Sequence, residues 1–266
     1  MLETDTLRES VRRAREGAVA LATTPTEVKN AVLLRLATLL EERAGEIVAT
    51  NALDMADAES DGMDRTMLDR LLLTPERVRG IAADVRHVVS LPDPVGEEFD
   101  AQTLSNGLKI RRRRVPLGVI AVVYESRPNV TIDVATLCLK SGNAVILRGG
   151  KEALRSNTVL AVCVSDALAH AGGPVDAVQF IRETDRALIG ELLTMRGEID
   201  LVVPRGGQRL VEFVRENARV PVLAGGMGVC HTYVDSDADV DKAVEIVHNA
   251  KTRRPSVCNA LDTVLV

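Results

Sequence analysis

From Val119 to Leu223 the chain repeats one pattern: a short apolar run rich in β-branched residues, a helical stretch, then another run. The runs are Val119–Glu125, Ala144–Arg148, Ala177–Ile181, Leu201–Val203 and Val220–Leu223, with helices expected near 131–141, 152–171, 184–196 and 207–218. Uniformly apolar strands are buried on both faces, and strands separated by helices pair in parallel through crossover units. The pattern predicts an α/β fold with a doubly wound, Rossmann-like parallel sheet and helices on both faces.

The section before this pattern reads as helical. Thr24-Pro-Thr-Glu27 has the form of a capping box with proline at the first helical position. Leu33, Leu36, Leu40, Ala44 and Ile47 follow at the spacing of one amphipathic helix, with Glu41, Glu42 and Arg43 on its other face. Residues 65–90 form a further helical stretch broken by Pro75, and Leu91-Pro-Asp-Pro94 ends the section. Phe99–Leu104 and Leu108–Val115 flank Ser105-Asn-Gly107, a strong hairpin signal. The run Arg111–Arg114 alternates between the faces of that hairpin and reads as a solvated, charge-edged ribbon. Residues 229–266 read strand, helix, loop, strand. Asp235–Asp241 looks like a calcium loop, but Val240 replaces its glycine and Ile246 its glutamate. Aspartates capping a helix explain it better.

Composition narrows the function classes. A net charge of −5, with three Phe, two Tyr and no Trp, argues against a nucleic-acid partner. The four cysteines form no C-x-x-C pair, which points to reduced thiols and a cytoplasmic setting. The first fifteen residues lack the apolar segment of a signal peptide, and no run suits a membrane span. His87, His170, His231 and His248 have no metal-ligand spacing, so no metal is expected. Asn129-Val-Thr131 matches a glycosylation sequon by pattern only.

The common nucleotide signatures are absent. Gly149-Gly-Lys151 lacks the upstream glycine and the hydroxyl residue of a P-loop, and Gly226-Met-Gly228 reaches His231 where a third glycine belongs. A dinucleotide bound here uses a variant arrangement. Among the cysteines, Cys138 and Cys163 lie in apolar helical stretches and read as structural. Cys230 follows a glycine cluster and reads as packed near a site without acting in it. Cys258 differs, because it closes the polar segment Lys251-Thr-Arg-Arg-Pro-Ser-Val-Cys258. Lys251, Arg253 and Arg254 would lower a thiol pKa or attract an anionic substrate. From residue context alone, a buried hydrophobe remains the commoner role for a lone cysteine. On the same footing Asn129 is a turn residue capping the next helix, and Arg148 and Lys151 are solvated ends of a strand-helix turn.

Several segments together carry a resemblance. Val115-Pro-Leu-Gly-Val-Ile-Ala-Val-Val-Tyr-Glu-Ser-Arg-Pro-Asn-Val130, Ser141–Lys151, Val203-Pro-Arg-Gly-Gly207, Gly225–His231 and Lys251–Asn259 resemble the gamma-glutamyl phosphate reductases, a branch of the aldehyde dehydrogenase superfamily. The likeness runs through essentially the whole chain, and Tyr124–Val130 is specific to this branch. It implies an aldehyde dehydrogenase-like fold and an NADPH-dependent reduction of L-glutamyl 5-phosphate to L-glutamate 5-semialdehyde, with release of phosphate, in proline biosynthesis. Cys258 is then the nucleophile that forms a thioester. Asn129, with the backbone N–H of Cys258, is then the oxyanion donor. Ser126, Arg127, Arg148, Lys151, Gly206, Gly207 and Gly225 are then the NADPH/NADP-binding residues. Arg148 and Lys151 would face the ribose or a 2′-phosphate, and the glycines would let the pyrophosphate approach a helix N-terminus.

One departure is informative. Hydrolytic members of the superfamily carry a glutamate before the Gly-Gly pair as general base, and here Ala224 precedes Gly225-Gly226. A reductase needs no such base. The resemblance divides the chain into a cofactor domain (1–96 and 115–224), an oligomerisation hairpin (97–114) that joins copies into a homo-oligomer, and the start of a catalytic domain (225–266). Because the family continues further, that last domain is expected to be incomplete here. A catalytically inactive fragment that retains NADPH binding, and an acylating aldehyde dehydrogenase acting on another substrate, stand as alternatives.

Overall fold

The computed structural model describes residues 2–266 apart from Met227, Arg254 and Ser256, with side chains described from Thr6 onward. It divides into two units, Met1–Ala224 and Gly225–Val266.

The first unit opens with α1 (Leu2–Leu21), α2 (Thr26–Glu42) and α3 (Ala44–Ser60). The capping box does not form: α2 starts at Thr26 with Pro25 at its cap and no side-chain cap bond. Both threonine hydroxyls have other acceptors, since Thr24 Oγ1 donates to the Ala20 carbonyl and Thr26 Oγ1 to Asp93. The single helix expected over Leu33–Ile47 is likewise cut, with Arg43 at φ −99°, ψ 14° between α2 and α3. Arg43 Nη2 reaches Asp166 at 2.6 Å, which ties the bend to a later helix. The apolar stripe survives the break, because Leu33, Leu36, Leu40 and Ile47 are all fully buried. Each such burial contributes about 2 kcal/mol.

Pro75 separates α4 (Arg65–Leu71) from α5 (Pro75–Ser90) by starting the second. Asp64 accepts from the Thr66 and Met67 N–H groups, and Thr74 Oγ1 accepts from Arg77 N–H. The hairpin follows as β1 (Glu98–Thr103) and β2 (Lys109–Arg113), an antiparallel two-stranded sheet among the described residues. Gly107 takes φ +85° in its turn, and Asn106 Oδ1 accepts from Leu108 N–H. Arg111, Arg112 and Arg114 face Glu98, Asp100 and Glu97 across the ribbon. Three of the four arginines in the run are therefore matched by acids, at exposed positions where each pair is worth under about 1 kcal/mol.

The sheet comprises β3 (Val119–Tyr124), α6 (Asn129–Lys140), β4 (Ala144–Arg148), α7 (Leu154–Ala171), β5 (Val178–Phe180), α8 (Ala187–Leu192), β6 (Leu201–Arg205) and α9 (Gln208–Asn217). Its strands are parallel in the order β5-β4-β3-β6. Every residue of β4 is buried, as a strand covered on both faces requires. α1 packs along β4 and β5, while α6 and α7 pack on each other, α6 also on β3 and β4 and α7 on β5. The expected fifth strand reduces to one bridge, Val222 to Val202, flanked by the bonds Val202 N–H to Pro221 O and Leu223 N–H to Val202 O. Pro221 has no N–H with which to extend that ladder.

The winding matters for function. The chain runs outward from β3 through β4 to β5, then returns to place β6 on the other side of β3. The strand order reverses between β3 and β6, and the crevice beyond the C-terminal ends of such strands is where open α/β sheets take ligands.

The second unit contains β7 (Cys230–Tyr233), α10 (Val240–Thr252) and β8 (Leu261–Leu265), with β7 and β8 parallel. Asp239 caps α10 by accepting from Lys242 N–H, the role expected for this aspartate cluster. Among the described residues of this unit, Leu261 is the one buried hydrophobic side chain, and Val240, Val244 and Ile246 are exposed.

Candidate active site

Three loops meet at the switch point of the first unit, following β3, β4 and β6. After β3, Glu125 accepts from Gly207 N–H at 2.8 Å, which places a carboxylate at the start of α9. That is a favourable end of a helix for negative charge. The same side chain explains Gly206, where a β-carbon would fall 2.4 Å from Glu125 Oε2 and 2.8 Å from Leu210. Ser126 is buried at φ +39°, an uncommon conformation for a residue with a side chain. Its N–H and Oγ both donate to Glu152 Oε1, each at 2.7 Å, which holds the turn in that geometry. Arg127 is half-buried beside it.

After β4, Arg148 is 8% exposed and donates through Nη2 to the Thr184 carbonyl at 2.8 Å. Burial lowers its pKa, and its Nε is buried without a hydrogen-bond partner. Lys151 is exposed at the start of a 3₁₀ turn. Gly149 is fixed by close packing, since a β-carbon there would lie 2.2 Å from Asn157 Nδ2. Behind this loop Tyr124 OH meets Thr131 Oγ1 at 2.7 Å, and Thr131 Oγ1 donates to Asn157 Oδ1 at 3.0 Å. All three side chains are buried, so this chain of bonds locks the first turn of α6 to the sheet. Asn129 begins that turn and donates from Nδ2 to Asp133 Oδ2 at 2.8 Å.

The cysteines sort by environment. Burial pushes the Cys138 thiol up to about 12 and raises that of Cys163, which keeps both protonated and inert. Cys258 is exposed, in the irregular segment between α10 and β8 of the second unit. That segment is held from two sides: Cys230 Sγ donates to the Cys258 carbonyl at 3.4 Å, and Lys251 Nζ donates to the Leu261 carbonyl at 2.8 Å. Lys251 thus spends one N–H on the backbone, Arg253 is exposed, and Arg254 lies outside the described residues. Gly228 packs against the same carbonyl, where a β-carbon would come within 2.5 Å of Cys258 O. Gly225, the first residue of this unit, has open space around it.

Ser126, Arg127, Asn129, Arg148, Lys151, Gly206 and Gly207 therefore share one edge of one sheet, while Cys258 and Gly225 belong to the second unit. Glu125, Glu152 and Asp133 shape that edge and were not singled out from sequence. A glutamate directly following a buried strand was the signal available for Glu125.

The sequence pattern of the aldehyde dehydrogenase family matches residues 2–266. The chain belongs to the aldehyde dehydrogenase family. It is 55% identical over 262 residues to a gamma-glutamyl phosphate reductase of Roseiflexus castenholzii, covering 98% of this chain and 62% of that protein. A solved structure of gamma-glutamyl phosphate reductase from Thermotoga maritima superposes with a TM-score of 0.90 at 43% identity, over 97% of this chain and 62% of that one. A probable aldehyde dehydrogenase of Listeria monocytogenes, 16% identical, shares the fold with a TM-score of 0.72 over 98% of this chain and 55% of that one. The chain spans about 62% of the length of the first of these relatives. No helix among the described residues is long and apolar enough to cross a membrane.

Proposed function

We propose that this chain carries the nucleotide edge and the nucleophile of an NADPH-dependent reduction of L-glutamyl 5-phosphate to L-glutamate 5-semialdehyde, with release of phosphate, in cytoplasmic proline biosynthesis. The observation that carries this reading is the 55% identity, over nearly the whole chain, to a protein named gamma-glutamyl phosphate reductase. The exposed thiol of Cys258 and the open strand edge supply the groups such a reaction needs.

The edge fits a dinucleotide. Gly206 and Gly207 leave the start of α9 without side chains of its own, and a pyrophosphate would take its free N–H groups by displacing the Glu125 carboxylate that holds the Gly207 N–H. Arg148 and Lys151 stand at the end of β4 as cations for a ribose 2′-phosphate, which favours NADPH over NADH; Lys151 is the exposed one, and Arg148 is buried with Nη2 on the Thr184 carbonyl. Ser126 and Arg127 line the turn between them. The cofactor, when bound, supplies a hydride.

Cys258 acts through its thiolate, which attacks the acyl carbon and expels phosphate to leave a thioester. After reduction of that carbonyl the carbon–sulfur bond breaks, releasing the aldehyde and regenerating the thiolate. Asn129 Nδ2–H takes the role of side-chain oxyanion donor, stabilising the anion at each tetrahedral stage. Ala224 cannot activate water, so the thioester is spared hydrolysis. The ribbon β1–β2 joins copies of the complete protein into a homo-oligomer, since an isolated two-stranded ribbon with nearly every residue exposed is marginal by itself.

The test runs the reaction in reverse, with glutamate 5-semialdehyde and NADP supplied with and without phosphate. Expected is NADPH formation that requires phosphate for sustained turnover. Sustained oxidation without phosphate would assign the chain to a hydrolytic or other acylating chemistry.

A further inference from the structure

Asp133 takes no part in the chemistry above, yet it holds the side chain given the oxyanion role. Asn129 is the first residue of α6 and Asp133 stands four residues on, so both lie on one face of the helix. We propose that Asp133 is a positioning residue: its ionised carboxylate accepts one N–H of the Asn129 amide and leaves the second for the oxygen that becomes anionic on the substrate. The inference rests on the oxyanion role of Asn129.

The chemistry of the partner decides the orientation. An amide can turn over about its last torsion and exchange its oxygen for its nitrogen, and a hydroxyl partner would accept either arrangement. An ionised carboxylate only accepts, so it selects the arrangement with Nδ2 facing it. The observed bond, Nδ2 to Asp133 Oδ2 at 2.8 Å, is that arrangement. Because the Tyr124–Thr131–Asn157 bonds fix the first turn of α6, the amide is left little other freedom.

The ionised carboxylate is kept there at a cost. Burial pushes its pKa from the ordinary 3.8 up to about 6, against the Asn129 hydrogen bond. Asp84 on α5 adds a like charge, and Arg205 at the end of β6 opposes it. A folded-state pKa above the unfolded one means that the folded chain binds the proton more tightly. The stability this brings is present at low pH and is lost as pH rises through about 6. A side chain that costs stability in its charged form, while bonded to a reactive group, fits an exchange of stability for function.

The test follows the Asn129 side-chain amide of this chain by proton–nitrogen NMR across the range from about pH 4.5 to 8, with the signals assigned by their loss in Asn129→Ala. Expected are signals that shift with an apparent pKa near 6 in the parent chain and stay still in Asp133→Asn. Asp133→Asn is also expected to unfold at a higher temperature than the parent at pH 7.5, with the gap closing towards pH 4.5. Its kcat for semialdehyde oxidation is expected to fall by roughly 10- to 100-fold, with KM for the nucleotide unchanged. Amide signals that do not titrate overturn the proposal, and this titration needs no variant that folds poorly. So does an Asp133→Asn variant that is less stable and turns over normally, which would make Asp133 a structural support. Undiminished turnover by Asn129→Ala would instead remove the oxyanion role itself, an outcome separable from the titration.

Discussion

Replacing Cys258 with alanine is expected to lower phosphate-dependent turnover by on the order of 10⁴-fold or more, because the acyl thioester then loses its sulfur. Nucleotide affinity is expected to stay unchanged, since the residues proposed to hold the cofactor lie mainly at the sheet edge of the first unit. The unfolding midpoint is also expected to hold, because the side chain is exposed and its loss opens no cavity. Steady-state kinetics beside a thermal melt checks all three. Cys230→Ala, which removes a thiol resting on the Cys258 carbonyl, is expected to cost far less. Turnover retained by Cys258→Ala and lost by Cys230→Ala would move the nucleophile to β7.

The second large effect belongs to Asn129. Its truncation to alanine removes the side-chain oxyanion donor, a loss of about 3 to 4 kcal/mol of transition-state stabilisation, or roughly 10²- to 10³-fold in kcat. The bond to Asp133 disappears as well, leaving a half-buried carboxylate without its donor. The pKa of Asp133 then rises further, since that hydrogen bond lowers it. A loss in kcat at constant KM for the nucleotide is the expected signature, whereas a helix-capping asparagine would show its loss in the unfolding midpoint alone.

How much of this was legible in the sequence depended on the range of the forces involved. Strand and helix order from β3 to α9 followed from periodicity, because burial on both faces of β4 leaves little room but for apolar residues. The break at Arg43 did not, since Leu33–Ile47 keep one spacing across it, and the bend is tied by a bond to Asp166, 123 residues away. The capping box at Thr24 failed for a similar reason: Thr26 found Asp93, a partner that no local pattern reveals. Val220–Leu223 looked like a strand by composition and was limited to a bridge by Pro221.

The site divides the same way. Cys258 and Asn129 were visible through family resemblance, and from local context each had a plainer explanation. Glu125 and Glu152 act through loop-to-loop bonds to Gly207 and Ser126, contacts that exist only once β3, β4 and β6 are side by side. Asp133 was within reach, because its spacing from Asn129 is that of one helical turn. Its burial, which gives the pair its pH dependence, belongs to the packing of α6.

The central claim, that Cys258 carries the acyl group to phosphate, is tested most directly by trapping it. The chain is mixed with glutamate 5-semialdehyde and NADP in the absence of phosphate, and both NADPH and the mass of the protein are followed. The account predicts a burst of about one NADPH per chain and an acyl adduct that maps to the peptide bearing Cys258, discharged when phosphate is added. No adduct, an adduct on Cys230, or continued turnover without phosphate would contradict it.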